Sequence, residues 1–298
     1  MLRSLVGSEM CIRDREKTMA MTRDTTWRYV LVVVAVALSL AAWFCTVFGV
    51  YSTVNMTFES YLTASVWALL LVAAVLLYTS QHGLVPNCIL LYPIFGASIN
   101  LLLGSLTVRT QVPMFFDAVG TAIVAIIAGP VLGMATGLTT TVLGGAYFAY
   151  NLAFAPVGIF IGAAVGLLAR RGVFNKLSWI IFSGLGIGIG SGVMSVYVLI
   201  FSFSGHPRKG PQNLTKFYEM IVQDERLAII LQGLTSDILD KVFTVLIACL
   251  VLRFMPKVIA RHYTVTFNHE VMRKVLHAPD PHAESDASAQ STQQRATA

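Results

Sequence analysis

Two short strings carry ionisable residues in otherwise apolar surroundings. The first contains Pro113, Phe115, Phe116 and Asp117 and continues through Gly120 and Thr121; the second contains Ser236, Asp237, Asp240, Lys241 and Thr244. Ionisable groups inside membrane-spanning segments are costly, and by default they mark a function. An aromatic pair and a proline beside Asp117 would make a shaped, partly dry rim suited to holding a ligand. A carboxylate at a helix start also stabilises the helix dipole, by about 0.3–1 kcal/mol. In the second string Ser236 has the chemistry of an N-cap and Asp237 falls in the first turn. Asp240 and Lys241 follow three and four residues after Asp237, on the same face. A capped, self-paired helix start and a ligand site therefore both fit these residues. What favours a shared site is that both strings are expected at one depth.

Other polar residues are fewer. Asn100, between Gly96 and Gly104 at four-residue spacing, is expected to hydrogen-bond across helices. Thr121, Thr139, Thr140, Thr141 and Asn151 are able to bond their own helix backbone or a ligand. Tyr147 and Tyr150 have the character of interfacial anchors. Several chemistries are missing from the sequence. It contains no GxxxxGK[ST] loop, HExxH or GxSxG, and its histidines (His82, His206, His262, His269, His277 and His282) fall in expected loops or tails. The expectation is a protein that is not an enzyme and holds no cofactor. Cys11, Cys45, Cys88 and Cys249 show no paired spacing, so neither a disulfide nor a metal site is expected.

The elements that must position these residues are apolar helices. Of 298 residues, 56% are hydrophobic and only 12% charged, and 118–168 contains no Asp, Glu, Lys, Arg or His. A soluble domain carries about 25% charged residues. The sequence predicts an all-α integral membrane protein with about eight transmembrane helices, near 28–50, 60–80, 86–106, 115–129, 131–147, 152–169, 177–203 and 236–256. Gly129 and Pro130 predict a hairpin apex or sharp kink. Glycines recur every four residues at Gly129, Gly133 and Gly137, at Gly158, Gly162 and Gly166, and at Gly184, Gly188 and Gly192. Such faces let helix backbones approach in lipid. The last set mimics a dinucleotide motif, but no strand precedes it. The first span is longer than a secretory signal peptide.

The net charge of +6 comes from loops and tails, which speaks for topology and against nucleic acid. With both termini cytoplasmic, Arg170, Arg171, Lys176, Arg253, Lys257, Arg261, Arg273 and Lys274 all fall on the cytoplasmic side. The connections 51–59, 107–114 and 204–235 then lie outside. Residues 1–18 resemble a translated cloning adaptor, which makes Met19 or Met21 the expected start. Residues 278–298 have too little apolar bulk to fold.

In order and spacing, several strings resemble the substrate-binding S component of energy-coupling factor (ECF) transporters. They are the Asp117 string, the run from Ala128 through Gly129, Pro130 and Gly133 to Gly137, the run Gly166, Arg170, Arg171, Gly172, and the string from Ser236 to Thr244. The chain departs from the pattern at Thr139, Thr140 and Thr141, where members often carry Asn, and in the absence of a clear Ala-x-x-x-Ala in the first core helix. The resemblance implies a six-helix membrane core over 84–258 that captures a small water-soluble nutrient such as a vitamin or nucleobase-like precursor. Its partners would be a transmembrane coupling subunit and ATPase subunits. Residues 19–83 would add an accessory hairpin and 259–298 a cytoplasmic tail, in a bacterial inner-membrane protein. The resemblance implicates Asp117, Asp237, Asp240 and Lys241 in the substrate site; Asn100, Thr121 and Asn151 join them as candidates from their polarity and place. A membrane sensor and a stand-alone ion-coupled secondary transporter are the alternatives.

Overall fold

The computed structural model describes residues 26–46, 61–85, 87, 89–110, 114–202 and 212–254. The adaptor-like opening, the 51–59 connection, Cys11, Cys88, Pro113 and the tail from 255 onward lie outside the described residues.

Among the described residues all regular structure is helical: α1 (Thr26–Thr46), α2 (Tyr61–Gln81), α3 (Tyr92–Thr110), α4 (Val119–Ala128), α5 (Pro130–Tyr147), α6 (Ala155–Arg170), α7 (Leu177–Ser202), α8 (Gln212–Val222) and α9 (Glu225–Arg253). Five helical stretches are long and apolar enough to cross a membrane: Thr26–Thr46, Ala64–Gln81, Ile89–Thr107, Asn151–Arg170 and Leu177–Ile200. The large side chains that remain exposed are mostly apolar, among them Val33, Phe44, Val75, Phe95, Leu102, Phe182 and Ile189. That pattern suits lipid and not water.

Three expected boundaries are corrected. The span near 115–129 is a ten-residue helix beginning at Val119; at about 1.5 Å per residue it covers roughly half of a 30 Å hydrocarbon layer. Residues 114–118 stay non-helical, and Phe116 takes a left-handed φ of 49°, so Asp117 is in a turn before the helix. The 107–114 connection loses its first residues to α3, which runs to Thr110. The largest change concerns the last span. It starts at Glu225, with the Asp224 side chain accepting from the Leu227 amide at 2.9 Å, and not at Ser236. Ser236 is buried in mid-helix and accepts from Gln232 Nε2 at 3.0 Å, so the N-cap role is wrong. Much of the supposed 204–235 loop is therefore α8 and the first turns of α9. No proline interrupts 225–253; of the polar residues read as a loop, Asp224, Glu225 and Arg226 stay exposed while Gln232 is buried with Ser236, Asp237 and Asp240.

Gly129, at φ 91°, separates α4 from α5, and Pro130 opens α5 at a position where its missing N–H leaves no bond unmade. Across the α5–α6 contact Gly137 faces Gly158, Gly133 faces Gly162 and Gly166 faces Pro130, so that a β-carbon on any of these five glycines would run into opposing backbone. The α7 face behaves likewise: a β-carbon on Gly184 would lie 2.6 Å from Val242 Cα, and one on Gly188 2.5 Å from Ile238 Cα. The interior (Ala122, Ala125, Ile126, Leu132, Ile161, Val165, Val245, Ala248, Leu252) draws on α4, α5, α6 and α9. Helices α1 and α2 join a second cluster with Met134, Leu138 and Ile159. Arg28 Nη1 donates to the Ser80 and His82 carbonyls, both at 2.8 Å, fastening the start of α1 to the end of α2.

Gly137→Leu is expected to force α5 and α6 apart at a cost of about 1–3 kcal/mol or more, read as a lower midpoint for thermal unfolding in detergent. Gly186→Leu, where an added carbon meets nothing within 4 Å, should leave that midpoint unchanged.

Candidate functional site

The structure brings Asp117, Asp237, Asp240 and Lys241 together. Asp237 follows Glu225 by 12 residues and Lys241 precedes Arg253 by 12, so about 18 Å of α9 lies on either side. The expected position near the outer surface is thus replaced by one at the middle of a long helix. Lys241 Nζ bonds the Asp240 carboxylate directly and lies 3.5 Å from Asp117 Oδ1 and 3.9 Å from Asp237 Oδ1. The side chains of Asp240, Lys241 and Asp237 are 0%, 3% and 7% exposed, against 41% for Asp117. Asp117 is accordingly the member an incoming solute meets first.

Asp240 has a second task. Its Oδ1 accepts from the Phe115 amide at 3.1 Å and the Phe116 amide at 2.6 Å, while Thr107 Oγ1 donates to the Phe115 carbonyl at 3.0 Å. These bonds hold the left-handed turn at Phe116, a conformation that persists in a non-glycine residue only when its surroundings over-determine it. One carboxylate thereby satisfies a buried lysine and two backbone donors and joins α9 to the turn that opens α4.

Asn100 is the second organiser. Its Nδ2 donates to Thr121 Oγ1 and Thr140 Oγ1, both at 2.9 Å, and its Oδ1 accepts from the Gly120 amide at 2.6 Å. It is fully buried and ties α3, α4 and α5 together where Gly120 packs on the backbone of Gly96. This is the interhelical role expected of it, and Asn100 does not line the cavity beside it. Asn151 bonds the Gly144 carbonyl at 3.0 Å and is likewise no lining residue.

The cavity encloses about 70 Å³. Asp117, Ala118 and Thr121 form one wall, Thr140 and Thr141 of α5 a second, and Ser195, Asp237 and Lys241 a third. Phe115, Phe154, Val157 and Ile161 supply the apolar lining. Ser195 and Asp237 share that third wall across the α7–α9 contact. Sequence reading missed Ser195 and Phe154 as site residues, whereas Phe115 belongs to the aromatic pair expected beside Asp117. Ser195 had a signal, since it lies seven residues after Gly188 and four after Ser191 on the glycine-bearing face of α7. Gln232, Ser236, Asp237, Asp240, Lys241 and Thr244, all buried, recur at helical spacing, and that periodicity would have revealed the true start of α9. Among the described residues no group of three or more His, Cys, Asp or Glu is arranged to hold a metal ion.

Asp240→Ala would leave the Lys241 ammonium and two amides without their principal acceptor in a buried place. The expected loss is about 3–5 kcal/mol, measured by denaturant unfolding of the detergent-solubilised protein. Adding Lys241→Met to Asp240→Ala should recover much of it.

Comparison with protein-family models, with characterised proteins and with solved structures finds no match.

Proposed function

We propose that this chain is a membrane-embedded substrate-capture subunit of the ECF type, taking up a small water-soluble nutrient while partner proteins hydrolyse ATP. The observation that carries this reading is the cavity lined by Asp117, Asp237 and Lys241, beside the middle of α9 and within a bundle of apolar helices. Ionisable groups are kept in such a place where a solute or ion must be bound. The sequence resemblance points to the same carboxylates. Further support comes from the absence of any P-loop sequence, which leaves the energy to be supplied by a partner. Because Asp117 is exposed and Asp237 buried, a ligand would meet the first carboxylate on entry and the second on seating. On this reading the Arg-bearing ends of α6 and α9 face the cytoplasm of a bacterial cell and the approach to Asp117 faces outward.

A second reading, a stand-alone ion-coupled transporter, is favoured by the three carboxylates around one lysine. Affinity purification of the full chain from its native membrane separates the two. Recovery with a transmembrane coupling protein and ATPases is expected. Recovery alone, with uptake that collapses when the proton or sodium gradient is dissipated and persists without ATP, would overturn the proposal. Recovery with a histidine kinase or regulator would assign sensing instead. Asp117→Asn and Asp237→Asn are each expected to lower nutrient uptake in cells by roughly tenfold or more, the effect of removing one charged hydrogen-bond partner. Native mass spectrometry of gently purified protein should show a ligand mass that Asp237→Asn loses.

A further inference from the structure

The hydrogen-bond commitments of the cavity wall go further than its list of residues. Thr140 Oγ1 donates to the Thr136 carbonyl at 2.8 Å while accepting from Asn100. Thr141 Oγ1 donates to the Gly137 carbonyl at 3.0 Å. Each of these hydroxyls has spent its one proton on its own helix, so each offers a ligand only a lone pair. Asp117 and Asp237, when ionised, also only accept. Lys241, the one cationic side chain of the wall, hydrogen-bonds Asp240 and Asp117 and has Asp237 Oδ1 3.9 Å away. Thr121 differs: it is 1% exposed, its oxygen accepts from Asn100, and its proton has no acceptor among the described residues.

We propose that the solute bound here is a compact organic cation whose ammonium, amidinium or guanidinium N–H groups face Asp117, Asp237, Thr140 and Thr141, with an acceptor atom beside them for the Thr121 proton. The assignment rests on the reading of this cavity as the capture site and specifies the chemistry of what it captures. Charge balance points the same way. Three carboxyl groups surround one ammonium, so ionisation of more than one leaves negative charge in excess, which a monocation reduces and an anion worsens; burial makes that difference large. Phe115 and Phe154 in the wall are also suited to a cation, which an aromatic face attracts. A neutral donor such as an amide would fill the same hydrogen bonds without relieving the charge. An incoming carboxylate would compete with Asp117 and Asp237 for Lys241.

The test uses the full chain in detergent and four probes of similar size: acetamidine and methylguanidine as cations, acetamide as a neutral isostere and acetate as an anion. Acetamidine and methylguanidine are expected to raise the thermal unfolding midpoint in a saturable way, as ligands of the folded state do, and acetamide and acetate to leave it unmoved. Asp237→Asn should weaken acetamidine binding by roughly tenfold to a hundredfold, the range for one charged hydrogen-bond partner. If Asp237→Asn does not fold, Asp117→Asn, at the exposed member, serves in its place with the same expectation. A shift of equal or larger size with acetate or acetamide, no shift with any probe, or cation binding that survives the substitution would overturn the assignment. Its failure is distinguishable from failure of the capture role. Recovery with ATPases and uptake of an anionic nutrient would remove the cation and keep the transporter, whereas cation binding without any coupling partner would do the reverse.

Discussion

The pairing of Asp240 with Lys241 is the interaction on which the candidate site depends. Two opposite charges on adjacent residues of one helix normally point in different directions. Here both are turned inward, and Asp240 reaches across to two amides of the turn before α4. Transferring such groups out of water is costly, and the return comes only when every lone pair and proton finds a partner. Asp240 meets that condition with a lysine and two N–H donors. The turn it holds contains the left-handed Phe116 and presents Asp117 to the cavity, so the strained segment and the ligand-facing carboxylate share one anchor.

Close helix packing makes this geometry reachable. Gly184, Gly188 and Gly192 let α7 lie against Val242, Ile238 and Leu234 of α9, which brings Ser195 into one cavity wall with Asp237. On the other side Gly120 meets the Gly96 backbone, and Asn100 joins α3, α4 and α5 immediately behind the Thr121 and Thr140 hydroxyls. In lipid, helix association relies on van der Waals contact and interhelical hydrogen bonds. Both are concentrated around the cavity. The shortness of α4 belongs to the same design, because a helix that begins only at Val119 leaves 114–118 as irregular backbone, of which Phe115, Asp117 and Ala118 line the pocket. Such backbone is tolerated at membrane depth only where protein or a cavity satisfies it, as Asp240 and Thr107 do here.

Much of this was legible in the amino-acid sequence. Long uncharged runs dictate helices in lipid, four-residue glycine periodicity dictates which faces touch, and Gly129 with Pro130 dictates a break. Asp117, Asp237, Asp240 and Lys241 stand out because charges are so rare among their neighbours. The side-chain chemistry of each was therefore visible before any contact was known.

What only the tertiary structure decided was depth, boundaries and division of labour. Ser236 has the chemistry of a cap, but capping depends on where the helix begins, and packing of α9 against α7 and α8 carries that helix back to Glu225. Asp117 and Asp240 are 123 positions apart in the chain, so no local spacing could reveal that a lysine and one strained turn lie between them. Asn100 and Asn151 are alike in composition, yet the first organises the cavity from behind and the second closes a turn. Sequence alone determined that a few polar groups must be buried in an apolar bundle, because burial cost follows from residue type. Which of them face the cavity and which hold it together was decided by the fold, because a hydrogen bond depends on distance and direction and those exist only once the helices are packed.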